Sequence, residues 1–178
     1  NGLPSGDKII PQITVDPSNG NVYALLTGNA PNFTNNTKTG IYFLDVKNGS
    51  NRWELLRGTV QYPQDALKGY GLWYYPTSFT VDFSDPNRRT LWLTDYENNR
   101  NWLMTGVWKS DDGGQTWERK VQMTHATGVS LDPSNPDHVF ASGMYQLDGN
   151  WGNGGQFFST DGGDTWKKNM SPTLQQNS

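Results

Sequence analysis

Short apolar runs, each bounded by glycine, proline, asparagine, aspartate or serine, follow one another along the chain. Clear examples lie at residues 22–25, 40–44 and 91–94. Runs of this length that are rich in β-branched and aromatic residues, with turn formers on both sides, predict β-strands. The one segment with a helical pattern, residues 63–68, is too short to organise a domain. The pattern therefore predicts an all-β protein.

An eight-residue motif occurs twice, as SDDGGQTW at residues 110–117 and as STDGGDTW at residues 159–166. A motif that recurs within one chain is typical of repeat architectures. Its aspartate can accept backbone N–H bonds inside a tight turn, and its second glycine can adopt the positive φ that such a turn needs. The threonine then re-enters a strand and the tryptophan packs in the apolar interior. We assign a structural role to Ser110, Asp112, Gly114, Thr116, Trp117, Ser159, Asp161, Gly163, Thr165 and Trp166.

The flanks of the two octets repeat as well. Each octet is preceded by a glycine with an apolar strand and, further upstream, by an Asp-led turn, at residues 81–86 and 131–136. A third copy, in which the octet has decayed, starts with the turn at residues 15–19 and ends at Trp53. Each unit contains four short predicted strands, the composition of a propeller blade. The sequence thus predicts a β-propeller segment over residues 1–178, with three four-stranded blades at about residues 11–58, 76–124 and 126–170.

The octets and their flanks resemble the Asp-box (BNR) repeat of β-propellers over residues 13–168. Families with this repeat include the family-74 glycoside hydrolases that act on xyloglucan, the sialidases and the sortilin-type receptors. The similarity is closest to the family-74 enzymes, because residues 99–102 before the strand at 106–110 look like a loop that presents aromatic residues to their groove. The resemblance implies a carbohydrate-active propeller for xyloglucan or another β-glucan. It assigns no catalytic residue, because the segments that hold the family's catalytic aspartates find no match in this sequence.

The composition narrows the classes of function. The chain has 178 residues, a formal net charge of −3, no cysteine and two histidines, His125 and His138. Two histidines do not make a zinc-ligand set and no EF-hand spacing occurs, so we expect no metal and no cofactor. The acidic balance provides no basic face, and no apolar run approaches the about 20 residues of a membrane span. We therefore expect no nucleic-acid partner and no membrane insertion.

Four Asn-x-Ser/Thr sequons point to export, at Asn32, Asn35, Asn48 and Asn169. Such sequons are acceptors of N-linked glycans on the surfaces of secreted proteins in eukaryotes and archaea. The sequence accordingly predicts a secreted glycoprotein.

Three blades are fewer than the about 4 to 8 of a closed propeller. An open arc exposes strand edges and blade faces, which natural proteins avoid. Two explanations stay open: the sequence is a piece of a longer chain, or copies of it assemble and cover one another.

Blade geometry predicts where a site would lie. In an antiparallel four-stranded blade, the first-to-second and third-to-fourth connections leave one pole, here called the turn pole, which holds the octets. The second-to-third connections and the links between blades leave the opposite loop pole, at residues 27–39, 94–105 and 142–154 and in the link 58–77. Aromatic side chains in these segments suit the flat faces of sugar rings. We predict glycan contacts for Trp73, Tyr74, Tyr75, Trp102, Tyr145 and Trp151, and an interpretation of these side chains as packing between blades or against neighbouring loops stays open beside it.

Hydrolysis of a glycosidic bond needs two carboxyl groups that flank it. The loop-pole candidates are Asp95, Glu97 and Asp148, and an interpretation as solvated loop carboxylates stays open beside the catalytic one. The leading prediction is an extracellular segment that binds, and in an enzyme helps to hydrolyse, a polysaccharide. The alternative is a non-catalytic secreted scaffold that binds a protein or builds an extracellular assembly or fibre.

Overall fold

A computed structural model describes residues 2–3, 8–28, 39–56, 59–60, 76–96, 105–145 and 154–169. All regular elements in these residues are β-strands. The strands are β1 (Lys8–Val15), β2 (Val22–Gly28), β3 (Gly40–Leu44), β4 (Glu54–Leu55), β5 (Thr59–Val60), β6 (Pro76–Val81), β7 (Leu91–Asp95), β8 (Gly106–Ser110), β9 (Thr116–Val121), β10 (Met123–Asp132), β11 (Asn135–Tyr145), β12 (Gly154–Ser159) and β13 (Lys167–Asn169).

The strands form three sheets in chain order. Blade 1 is β1-β2-β3-β4, blade 2 is β6-β7-β8-β9 and blade 3 is β10-β11-β12-β13. Every pairing inside a blade is antiparallel. Consecutive four-stranded antiparallel meanders make up a partial β-propeller, which confirms the predicted fold class. None of the described residues lies in a helix that could cross a membrane.

One strand falls in a segment that the sequence indicated as a plain link between blades. β5 pairs in parallel with β9, through Thr59 with Thr116 and Val60 with Trp117. The outer strand of a blade leaves one row of backbone N–H and C=O groups unpaired, and a passing segment can pair with it. Two residues are too few to show a strand period, so the sequence pattern did not reveal β5.

Blade 2 buries both of its faces because its side chains alternate. Leu91 and Leu93 join the cluster that packs against blade 1, whereas Trp92 between them joins the cluster that packs against blade 3. All three are at most 1% exposed. A strand places successive side chains on opposite faces, so one short apolar run supplies both interfaces.

Polar side chains on the first strands of blades 1 and 2 form hydrogen bonds to the next blade. The Gln12 amide Nε2 donates to the Phe79 carbonyl oxygen over 2.8 Å, and its Oε1 accepts from the Phe79 N–H over 3.0 Å. The amide thus acts as one residue of a β-ladder between β1 and β6. On the other side of β6, the Thr77 hydroxyl donates to the Ala126 carbonyl oxygen over 2.7 Å.

The outward faces of the first and third blades carry exposed apolar side chains. Ile13 is 59% exposed, Val15 53% and Phe140 48%. On β11, the neighbours of Phe140 are Val139 and Ala141, which face blade 2 and are buried. The outward side of blade 3 therefore exposes the Phe140 ring and has no sheet against it in the described part of the chain.

Candidate functional site

The strand pairing places the turns and the long connections at opposite poles. At the turn pole, each octet contacts the first turn of its own blade: the Gly113 N–H donates to the Arg89 carbonyl oxygen over 2.8 Å, and the Gly162 N–H to that of Asp137 over 3.0 Å. The β2–β3, β7–β8 and β11–β12 connections leave the loop pole.

In the octet of blade 2, one serine and one aspartate make most of the side-chain hydrogen bonds within the turn. The Ser110 hydroxyl donates to Asp112 over 2.8 Å and accepts from the Gly114 N–H over 2.8 Å. Asp112 also accepts from the backbone N–H of Thr116 over 2.8 Å and from its hydroxyl over 2.6 Å. The Trp117 indole, in a residue 3% exposed, donates to the Gly114 carbonyl oxygen over 3.2 Å.

The octet of blade 3 repeats these bonds. Asp161 accepts from the Ser159 hydroxyl over 2.6 Å and from the Thr165 N–H over 2.9 Å, and the Gly163 N–H donates to Ser159 over 2.8 Å. Trp166 is only partly buried, and its indole donates to the Gly163 carbonyl oxygen over 2.9 Å. One expectation is wrong here: Thr165 precedes β13, which starts at Lys167, because the last strand of this blade has only three residues.

These bonds set the ionisation of the octet carboxylates. The Ser159 hydroxyl and then the Thr165 side chain lower the pKa of Asp161 to about 2. Burial acts to raise the pKa of Asp112, but the bonds from Thr116 and Ser110 outweigh it and the pKa lies below its ordinary value. A carboxylate that is ionised and already hydrogen-bonded on both oxygens is a poor proton donor. The bonds therefore describe a structural turn, and the role of the serine hydroxyl is an addition to what the sequence indicated.

The first turns of the three blades share a second bond pattern. In each, the aspartate accepts from the backbone N–H and the hydroxyl of the serine two residues later, at distances of 2.6 to 2.9 Å. The pairs are Asp16 with Ser18, Asp82 with Ser84 and Asp132 with Ser134. These aspartates are turn formers too.

A buried ion pair joins the turns of blades 1 and 2, and sequence reasoning missed it. The Arg88 guanidinium Nε lies 2.6 Å from Oδ2 of Asp16, whose side chain is 0% exposed. The bond from Arg88 holds the pKa of Asp16 far below its ordinary value, although burial opposes it. Arg88 adopts φ +55° to make this contact. The two partners are 72 positions apart, so no local motif reveals them.

At the loop pole the described residues bring together Asp95, Tyr96 and His125. Asp95 ends β7 and is 1% exposed. Tyr96 follows it, and its ring meets the His125 imidazole edge-on, with centroids 4.6 Å apart and planes at 78°. His125 belongs to β10 of the next blade and has φ +51°. The loop pole between blades 2 and 3 therefore holds a titratable and aromatic cluster, of which only Asp95 was a predicted site residue.

Most other predicted loop residues lie outside the described residues. These are Trp73, Tyr74, Tyr75, Glu97, Trp102, Asp148 and Trp151, and the sequon residues Asn32 and Asn35. Tyr145 ends β11, opposite Met123, and Asn169 ends β13, opposite Gln156; their side chains are outside the description. Asn48 is exposed in the turn between β3 and β4, and its Nδ2 donates to Asp45 over 2.7 Å. Within the described residues, no three His, Cys, Asp or Glu side chains form a group that could hold a metal ion.

Comparison with known proteins finds similarity at the level of structure. No protein-family profile matches the chain, and no curated protein matches it in sequence. An ancestral GH74 enzyme superposes with a TM-score of 0.53 at 17% identity, over 89% of this chain and 18% of that one. The GH74 xyloglucanase from Xanthomonas campestris superposes with a TM-score of 0.55 at 19% identity, over 94% of this chain and 22% of that one. The chain thus spans about a fifth of each of these structures, and its blades have a fold like that found in GH74 enzymes.

Proposed function

We propose that this chain is a carbohydrate-binding β-propeller segment of an extracellular protein, and that its loop pole binds a neutral β-linked polysaccharide such as xyloglucan. The observation that carries the proposal is the division between the poles. At the turn pole the aspartates are engaged by hydrogen bonds within their own turns. At the loop pole, the part-exposed Tyr96–His125 pair lies between blades 2 and 3, at the pole where the second-to-third connections of the blades begin and end.

The likeness to solved GH74 enzymes supports this proposal. Aromatic rings with neighbouring polar groups suit sugars, because the apolar C–H faces of a sugar stack on rings while its hydroxyls bond to polar atoms. We assign the octets to the Asp-box repeat on the strength of their shared frame and bonds. We further infer export, supported by the sequons and by the exposure of Asn48.

We assign binding rather than bond cleavage to the described residues. Catalysis needs two carboxyl groups, about 5 to 9.5 Å apart depending on the mechanism. Among the described residues Asp95 is the carboxyl at the loop pole, and its 1% exposure keeps it away from a substrate in solvent. Glu97 and Asp148 stay candidates on the sequence alone.

Titration of the chain with soluble xyloglucan, mixed-linkage β-glucan and anionic polygalacturonate tests the proposal. We expect saturable quenching of the fluorescence of the eight tryptophans by a neutral β-glucan. Trp102→Ala should weaken that binding about tenfold, the effect of losing one stacking partner. Trp53→Phe, near the turn pole, is the matched control and should leave binding unchanged. A wild-type chain that is not quenched by any neutral β-glucan at millimolar sugar contradicts the proposal.

A second candidate is a scaffold that assembles through its blade faces. Phe140 is 48% exposed and lines an open cavity of about 420 Å³ that blade 3 shares with Ser78 of blade 2. Its other lining residues are Gly128, Val129, Ser130, Ala141, Ser142 and Gln156. Sedimentation velocity separates this candidate from the first: defined oligomers that dissociate in Phe140→Ser support a scaffold, whereas a monomer at all concentrations contradicts it.

A further inference from the structure

The pairing of β10 with β11 is irregular at two places, and one of them lies directly below the loop pole. Pairing with β11 joins Thr124 to Met144 and then Gly128 to Ser142, so that three residues of β10 face Gly143 alone. Extra residues on one strand form a bulge, and bulges re-aim side chains at the ends of sheets. The bulge holds His125, and it removes this side chain from the regular alternation of the strand.

The bulge is held rigidly on both sides of His125. Met123 and Ala126 are 0% exposed and belong to the core between blades 2 and 3. A Cβ at Gly143 would lie 2.6 Å from the Met123 sulfur and 2.9 Å from the Ala126 Cα, so the bulge packs directly against the glycine backbone. The position of His125 is therefore set by the core and not by a loose loop.

His125 has a strained backbone for which its described contacts give no reason. Among the described residues, the two other than glycine with positive φ are Arg88 and His125. Arg88 reaches the buried Asp16 in this conformation. The Nδ1 of His125 is buried and has no hydrogen-bond partner among the described residues. Residues whose strained backbone is held by rigid surroundings are found preferentially at ligand-binding sites.

The surroundings of Nδ1 select one form of the ring. A neutral imidazole carries its proton on one nitrogen, and the other nitrogen is an acceptor. A proton on Nδ1 would be buried without an acceptor, which is costly, so the proton belongs on Nε2. The residue as a whole is part-exposed and its ring stands edge-on to Tyr96. The pair thus offers an aromatic corner with one N–H donor of fixed direction.

We propose that His125 is a sugar-binding residue of the loop pole: its Nε2–H donates to a hydroxyl oxygen of a hexose unit that packs against Tyr96. The inference rests on the proposed function and deepens it, because it names a residue outside the long connections. A neutral sugar fits better than a uronate, since the chain has a net charge of −3 and this corner lies beside Asp95.

The test uses the whole chain, soluble xyloglucan oligosaccharides as the probe, and two variants. His125→Gly keeps the positive φ without strain and should raise the Kd at least fivefold. The matched control is His138→Gln, since the other histidine lies at the turn pole against Asp132 and Asn135; its Kd should equal that of the wild type. Imidazole ¹⁵N spectra of wild type should show the Nε2–H form at His125, and oligosaccharide should move that signal while His138 stays in place.

The outcomes are distinguishable. If the wild type binds and His125→Gly binds within twofold of it, or if His125 carries its proton on Nδ1, the inference is overturned and the proposed function stands. If the wild type binds no neutral β-glucan, the proposed function fails and the inference fails with it.

Discussion

The two poles of the blades differ in how their polar side chains are hydrogen-bonded. At the turn pole, Asp112 and Asp161 each accept several bonds from their own turn, and Asp16 adds an ion pair with the next blade. At the loop pole, His125 has positive φ, and its buried Nδ1 has no hydrogen-bond partner in the described part of the chain. Bonds that are complete within the fold contribute to stability, whereas strained residues held by rigid surroundings are found preferentially at ligand-binding sites. The turn pole therefore holds the blades together, and the loop pole is the one for which we propose ligand binding.

Among the substitutions at the turn pole, those that break the ion pair between blades 1 and 2 should lower stability the most. Asp16→Ala leaves the Arg88 guanidinium, 16% exposed, without its partner, and we expect a loss of about 3 to 5 kcal/mol in the free energy of unfolding. Urea denaturation measures it. In the double variant Asp16→Ala/Arg88→Met the loss should be smaller than the sum of the two single losses. Additive losses would mean that the pair does not couple the blades.

Two octet glycines allow the cost of a positive φ to be separated from the cost of overpacking. A Cβ at Gly163 (φ +94°) would lie 2.6 Å from the buried Trp92 ring, whereas a Cβ at Gly113 (φ +77°) meets nothing within 4 Å. Gly113→Ala should therefore cost about 1 kcal/mol for its backbone conformation alone. Gly163→Ala should cost about 2 to 4 kcal/mol, because overpacking adds to it. Equal losses in thermal or urea unfolding would show that the octet of blade 3 does not press on blade 2.

The octet carboxylates predict how stability depends on pH. Hydrogen bonds lower the pKa of Asp161 in the folded chain to about 2, below the about 3.9 of an unfolded aspartate. A lowered pKa contributes stability that is full above the unfolded value and is lost as pH falls through the folded one. Stability should thus decline between about pH 4 and pH 2, and Asp161→Asn should flatten the decline. The control is Asp111→Asn in the octet of blade 2, where the carboxylate is 66% exposed. Its free energy of unfolding should fall with pH as steeply as that of the wild type.

The smallest effect on stability is expected at the loop pole. His125→Gly removes the strain of φ +51° but adds freedom to the unfolded chain, so the free energy of unfolding should change by about 0.5 kcal/mol or less. Arg88→Gly relieves similar strain and loses the ion pair, so it should be clearly destabilising. Denaturation of the two variants side by side checks this. A large loss of stability in His125→Gly would indicate that His125 has a structural role instead of a role in binding.

The repeated elements of the fold could be predicted from sequence because their causes are local. Gly113, Gly114, Gly162 and Gly163 all have positive φ, and the octet aspartates accept bonds from residues three or four positions later. Short apolar runs likewise marked most strands. β5 was missed because its partner strand is more than 50 positions away and its own two residues carry no pattern.

The candidate site could be predicted only in part. Long connections and their aromatic residues indicated the loop pole, and Asp95 was named there. His125 was considered only as a metal ligand, because a bulge depends on which residues of two strands pair, and this register is not written in either strand alone. Its contact with Tyr96 joins two blades across 29 positions, and no local motif encodes it.

The sequence by itself determined most of the strands, the repeat of their pattern and the chemistry of the turns, since each depends on residues a few positions apart. Only the tertiary structure decided which carboxylate meets Arg88, which tryptophan lies against Gly163, and where the bulge directs His125. These contacts depend on how the blades pack side by side, and packing brings together residues that share no local signal.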